Sequence, residues 1–302
     1  GIVHKYNNDH EVARNFFKHS LKIKEDHISA LQELGLSYRG SNEYALAIEQ
    51  FKKLLSIEKN NVDGLDHLGY SYELNNNIEE AIECYNESKL IENKDEKDNY
   101  ADIRLAKCYL LKKDLEHAEL LINKEKITKN ETASSYTIRG MILRDKKEYD
   151  DAILNIEKAI AKYPESRTEW YTLAWCNSEK GNHVLALEYY KKNLQINDNF
   201  DESGSYAIGY ELEKLDRKKE ARDWFKQELS KYPQNIDILT ELAFLSRGFG
   251  DYDESIKNWN KIAKITPDDQ WIPFRKSADL ISQNKLEESL ECVEKILTAD
   301  KQ

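Results

Sequence analysis

Three groups of residues have types that do chemistry, and each stops short of a site. His10-Glu11 opens like a helix that grips zinc with two histidines four residues apart, but four residues after His10 stands Arg14, so the second ligand is missing. Gly248 and Gly250, in the run RGFGDYDE, suggest a phosphate-cradling loop, yet no Gly-Lys-Ser or Gly-Lys-Thr follows them. The acid pairs Asp150-Asp151 and Glu79-Glu80 each precede a small alanine, where carboxylates complement the positive end of a helix dipole without any catalytic role. Cys84, Cys108, Cys176 and Cys292 form no C-x-x-C pair and do not cluster with the seven scattered histidines. Reduced thiols in a cytoplasmic setting suit them better than a Cys84–Cys108 disulfide. The residues thus predict no enzyme, no metal and no cofactor, and the function is sought in a surface.

The segments that carry these residues repeat. Residues 133–166 (ASSYTIRGMILRDKKEYDDAILNIEKAIAKYPES) set out bulky Tyr136, small Gly140, Leu143, a polar break at Lys147-Glu148, small Ala152, bulky Ile156, small Ala159 and a closing Pro164. Apolar or small residues three and four apart on each side of one break predict two amphipathic helices packed face to face. The small residues fall where two backbones must approach closely, and Pro164 ends the second helix because it cannot donate the helical hydrogen bond. The small residue of the first helix recurs at Gly35, Gly69, Ala106, Gly140, Ala174, Gly209, Ala243 and Ser277. That of the second recurs at Ala13, Ala47, Ala81, Ala118, Ala152, Ala186, Ala221, Ser255 and Ser289, each followed four residues on by a bulky side chain, from Phe17 and Phe51 to Trp259 and Val293. Extra residues fall only in the polar runs ENKDEKDN and NDNFDESG, and Pro233 and Pro267 share the slot of Pro164.

This pattern resembles the tetratricopeptide repeat, a 34-residue helix-turn-helix marked by a bulky residue, Leu-Gly, Tyr, then Ala, an aromatic and Pro. LQELGLSY (Leu31–Tyr38) with Ala47 and Phe51, and LDHLGYSY (Leu65–Tyr72) with Ala81 and Tyr85, carry the likeness nearly complete, and it extends over almost the whole chain. It departs at Arg139, where leucine is usual, and at Pro273, which is expected to shorten or tilt the first helix of the last unit. The resemblance implies an all-α fold, a right-handed α-α superhelix of about eight helix-turn-helix repeats in one solenoid over 1–302. Its expected units are a partial repeat 1–27 and repeats 28–61, 62–98, 99–132, 133–166, 167–201, 202–235, 236–269 and 270–302. Cys108 and Cys176 then stand two residues after the small residue, where the family usually has small apolar side chains, and are expected to be buried. Charged residues make up 33% of the chain, as suits long solvated helix faces. No apolar stretch approaches the roughly 18 to 20 residues that span a bilayer, and no signal peptide is visible at the start, so a cytoplasmic location without a membrane partner is expected. The array opens inside a repeat, with Gly1 at a small position and Met141 the sole methionine, which points to a piece of a longer protein.

In a solenoid of this family the first helices line the concave face. The position after the small residue reads Leu36, Tyr70, Lys107, Met141, Trp175, Tyr210, Phe244 and Ala278, and the position three before it reads Gln32, Asp66, Ile103, Thr137, Tyr171, Tyr206, Thr240 and Phe274. Four residues apart on one helix, the two series form a single stripe, strongly aromatic from the fifth unit onward. With Trp170, Leu173, Ala174 and Leu242 expected to fill the core, the stripe is surplus to packing and fits a protein-binding groove. The ligand face is therefore expected at Tyr70, Tyr171, Trp175, Tyr206, Tyr210 and Phe244, with Arg104, Lys107 and Arg247 as polar orienters. The alternative is that the rings only pack against neighbouring helices, as aromatics at helical spacing more often do. A subfamily that clamps the carboxyl end of chaperone peptides uses a lysine and asparagines in the leading repeats. Here those slots hold Gln32, Leu36, Asp66 and Tyr70, so that clamp is absent.

The expected function is a non-catalytic scaffold that binds a peptide segment or partner domain, with the oligomeric state left open. The alternative is the sensor or regulatory arm of a larger protease, kinase or nuclease effector, or of a peptide-pheromone receptor. Single-stranded RNA could stack on the aromatics, but a net charge of -11 disfavours a phosphate backbone, and no nucleic acid is expected.

Overall fold

The computed structural model describes residues 10–91, 100–124, 127, 131–196 and 202–299. Among these the chain forms helices and no strand, in two compact units, Gly1–Tyr163 and Pro164–Gln302. The first unit holds α1 (His10–Ile23), α2 (Ile28–Gly40), α3 (Tyr44–Ile57), α4 (Val62–Leu74), α5 (Ile78–Ile91), α6 (Tyr100–Leu111), α7 (Leu115–Ile122), α8 (Ala133–Asp145) and α9 (Tyr149–Lys162). The second holds α10 (Arg167–Glu179), α11 (His183–Ile196), α12 (Glu202–Lys214), α13 (Lys218–Lys231), α14 (Ile236–Gly248), α15 (Tyr252–Ile265), α16 (Trp271–Ser282) and α17 (Leu286–Ala299). From α2 onward, successive helices pair as hairpins, and within each unit the first helix of each later hairpin packs on the hairpin before it, as α8 does on α6 and α7. The expectation placed on Gly1, the ENKDEKDN run and the first five residues of NDNFDESG lie outside the described residues.

Short polar side chains start the first helices. Asn61 and Asn235 accept from the backbone N–H groups of Gly64 and Ile238 at 2.7 and 2.9 Å, and Thr132 and Ser135 form a reciprocal capping box. Between the two helices of a hairpin the chain turns through one residue of positive φ: Asn42, Asn76, Lys113, Lys147, Gly181, Asp216, Gly250 and Asn284. The next N–H then reaches back to a carbonyl five residues earlier, as Glu43 does to Tyr38 and Arg217 to Leu212, both at 2.9 Å, which ties off the end of the first helix. Glycine relieves the strain at only two of these turns. Asn or Asp, which tolerate this conformation, stand at four of the others, so the tight spacing of the repeat holds only Lys113 and Lys147 in one they otherwise avoid.

The two series of small residues have distinct jobs. The alanines of the second helices, Ala47, Ala81, Ala118, Ala152, Ala186 and Ala221, are wholly buried. The glycines of the first helices admit the bulky residue of their own hairpin: a Cβ on Gly35 would lie 2.7 Å from the Phe51 ring, and one on Gly209 only 2.1 Å from Phe225. Phe51, Tyr85, Ile156, Phe225 and Trp259 are accordingly among the most buried side chains of the molecule, and each contributes the better part of its transfer free energy, about 2–3 kcal/mol.

Some expectations need correction or detail. Trp170 is half-buried and outside the core, donating its indole N–H to the Pro164 carbonyl at 2.8 Å and lying 5.7 Å from Tyr189; its large ring is better served at the edge, where the N–H finds an acceptor. Leu173, Ala174 and Leu242 do fill the core. Pro273 sits in the first turn of α16, where its missing N–H needs no partner, and the helix runs to 12 residues. Arg139, in the leucine slot, reaches out to Glu131 at 2.7 Å and the Ile122 carbonyl at 3.3 Å. All four cysteines are buried and unbridged, and burial pushes the Cys84 and Cys108 thiols up to about 12.

Candidate functional site

In the second unit the first helices α10 and α12 carry their aromatic residues on one face because Tyr171, Trp175 and Glu179, and likewise Tyr206 and Tyr210, are spaced by one helical turn. With Tyr190 from α11 and Asp237 from the start of α14 they line a cleft of about 400 Å³. Tyr171 meets Tyr190 edge to face at 5.5 Å, while Tyr206 and Tyr210 stack at 6.4 Å and Tyr206 also touches Phe225 at 6.1 Å. Tyr206 donates its hydroxyl to Glu241 of the next repeat at 2.8 Å. Burial and that hydrogen bond to a carboxylate raise its phenol above the ordinary range.

The charge around these rings is acidic. Glu179, Glu211 and Asp237 line the cleft, and among the described residues no lysine or arginine does. Glu211 is buried and paired with His183 Nδ1 at 2.9 Å. One helical turn beyond Tyr210 stands Glu213, whose Oε1 is buried with no hydrogen-bond partner. Burial, and then the neighbouring Glu241 carboxylate, push the Glu213 carboxyl up to about 7, against Lys218 and Lys214, which pull it down. Lys214 Nζ, from the same helix α12, lies 4.9 Å from the centre of the Tyr210 ring.

The other residues expected at the ligand face are elsewhere. Phe244, on α14, is exposed, meets Trp259 edge to face at 5.3 Å and carries the Arg275 guanidinium at 5.2 Å. Arg247 is bound to the buried Asp279 carboxylate and to the Arg275 carbonyl at 2.7 Å, so it joins two hairpins. Asp279 also accepts from Ser255 at 2.6 Å and from the Trp259 indole at 3.0 Å. In the first unit Tyr70 lies between two guanidiniums, Arg39 at 4.8 Å and Arg104 at 4.1 Å. Arg104 pairs with the buried Glu73 and donates to the Tyr85 hydroxyl at 3.3 Å, and Lys107 reaches the same Glu73 at 2.9 Å. Of the nine residues expected, Tyr171, Trp175, Tyr206 and Tyr210 come together in the cleft; Tyr70, Arg104 and Lys107 form a separate cluster in which the one carboxylate of Glu73 takes both cations.

Sequence reasoning missed Tyr190, Glu211 and Asp237 as cleft residues. Tyr190 belongs to the bulky series and is 2% exposed, so its packing role hid the edge it shows to the cleft. Glu211 left a signal: it occupies the slot two after the small residue, held by Ser37, Ser71, Cys108 and Cys176 in other repeats, and a carboxylate there needs a partner.

Comparison with known proteins adds the following. Models described as tetratricopeptide repeat match residues 28–61, 62–95 and 139–201. No curated protein sequence matches the chain. Among solved structures, the crystal structure of the APC/C hetero-tetramer Cut9-Hcn1 is similar at a TM-score of 0.66 and 15% identity over 88% of this chain, which spans about half (52%) of that one. The pilF protein of Pseudomonas aeruginosa is similar at a TM-score of 0.59 and 20% identity, over 72% of this chain and 95% of that one. At these identities the likeness is one of fold.

Proposed function

The chain is a tetratricopeptide repeat protein, and from that premise we propose that it is a non-catalytic scaffold which holds a peptide segment or partner domain in the aromatic cleft of its second unit. Tetratricopeptide repeats generally mediate protein–protein interaction and are generally non-catalytic. The observation that carries the finer reading is the gathering of Tyr171, Trp175, Tyr206 and Tyr210, from two successive first helices, around one cleft of about 400 Å³. Tyrosine and tryptophan offer large contact area at small cost in side-chain entropy and dominate binding hot spots. Two or three ligand side chains buried there would contribute roughly 1.5 to 3 kcal/mol each, against about 4 to 15 kcal/mol lost on association. The ligand is therefore an extended or folded partner that touches further repeats. The acidic lining favours a protein ligand over a nucleic acid backbone. Among the described residues no helix is long and apolar enough to cross a membrane.

The test is affinity capture from a lysate of the source organism with the native chain and a Trp175→Ala, Tyr210→Ala variant of unchanged helicity. A partner held by the native chain and lost by the variant supports the cleft. A partner held equally by both puts the interaction on another face.

A further inference from the structure

The repeat register allows a direct comparison of two environments. Tyr70 and Tyr210 both stand one residue after their small glycine, and Glu73 and Glu213 both stand four after it. The residue four after the small residue of the preceding repeat is Arg39 in the first case and Ser178 in the second. The residue two before the small residue of the following repeat is Arg104 in the first and Glu241 in the second. Around Tyr70 the chain thus stacks two of its own guanidiniums on the ring and pairs one of them with Glu73. Around Tyr210 the same two places hold a serine that lines the cleft and a second carboxylate. The Glu213 Oε1 that corresponds to a paired oxygen of Glu73 has no hydrogen-bond partner.

We infer that a basic peptide segment bound in the cleft lays an arginine side chain against Tyr206 and Tyr210, with its guanidinium reaching past the lining residues to Glu241, which already takes the Tyr206 hydroxyl, and to Glu213, as Arg104 is held internally in the first unit. This rests on the cleft being the ligand face and names what occupies it. The chemistry is complementary at each point. Aromatic faces carry negative quadrupoles that attract a delocalised cation. The planar fork of a guanidinium presents paired N–H donors to carboxylates, which an ammonium cannot match in the same geometry. The lining carboxylates Glu179 and Asp237 continue the acidic field outward, which steers a basic segment in and repels an acidic one. Two adjacent half-buried carboxylates are also unfavourable as a pair, so an arriving cation relieves a repulsion built into the free protein.

The experiment is selection of a random dodecapeptide library displayed on phage against the native chain, counter-screened on the Trp175→Ala, Tyr210→Ala variant. The expected peptides depend on the two aromatics and carry arginine at one position at least threefold above the unselected library. The best of them, synthesised and titrated by calorimetry, binds at least tenfold more weakly to Glu213→Gln, Glu241→Gln and to Glu241→Arg, which restores the internal cation. Both variants keep the native melting temperature or exceed it. Aromatic-dependent peptides without arginine enrichment, or with affinity indifferent to the two glutamates, overturn this inference and leave the cleft as ligand face. Peptides that ignore Trp175 and Tyr210, or none at all, overturn both.

Discussion

Tyr70 and Tyr210 hold the same place in their repeats, and their surroundings are opposite in charge. Near Tyr70 the chain closes its own circuit: Arg39 and Arg104 cover the ring, and Glu73, only 3% exposed, takes Arg104 and Lys107. Near Tyr210 the corresponding Glu213 has the Glu241 carboxylate as a neighbour, and among the described residues that act on it the cations are Lys218 and Lys214, not an arginine. One arrangement spends its electrostatics on joining two repeats. The other keeps a repulsion between carboxylates beside rings whose one cation here, Lys214 on Tyr210, comes from the same helix, the kind of local cost that folded proteins concentrate at functional sites.

The largest expected effect is on the self-paired cluster. Glu73→Gln leaves the mostly buried Arg104 without its carboxylate and should cost about 3 kcal/mol of stability, read as a lower urea midpoint; a loss as small as a surface ion pair, below about 1 kcal/mol, would break the contrast. Next in size, truncating both Trp175 and Tyr210 to alanine should weaken a cleft ligand by at least about 2 kcal/mol, measured by calorimetry with the helical circular dichroism unchanged. Glu213→Gln should act in the opposite sense to Glu73→Gln. The folded-state carboxyl of Glu213 lies at about 7, above its unfolded value, so its neutral form is the one the fold favours. Its contribution is greatest below the unfolded value and is lost as pH rises toward and through 7. The glutamine variant should therefore melt above the native chain at pH 8, with the gain gone by pH 4. An equal gain at both pH values would place the cause in packing. The smallest effect is expected from Phe244→Ala on the cleft ligand, under about 0.5 kcal/mol, since that ring lies on Trp259 beneath Arg275; a loss comparable to that of Trp175 would extend the site onto α14.

How much of this was legible in the chain differs by level. The hairpins were, because Gly35 with Phe51 and Gly209 with Phe225 are local pairs sixteen residues apart that any copy of the repeat must keep. Four of the stripe aromatics were, because spacing along one helix places Tyr171 with Trp175 and Tyr206 with Tyr210. The fate of the cations was not. In the sequence Arg104 and Lys107 look like free groove charges, because the Glu73 carboxylate that holds both lies more than thirty residues earlier. Arg247 likewise looks like an orienter, because its partner Asp279 lies thirty-two residues on. Trp170 read as core because size alone does not reveal an indole N–H that needs the Pro164 carbonyl.

Sequence alone determined the repeat length, the place of the small and bulky residues and the aromatic bias of the later first helices, because these depend on helical period and side-chain volume within one hairpin. Tertiary structure decided which charges meet across hairpins, and that Glu213 has Glu241 as its neighbour where Glu73 holds Arg104. Those outcomes depend on distances between repeats, and a carboxylate in a written sequence looks the same whether its neighbour is a guanidinium or another carboxylate.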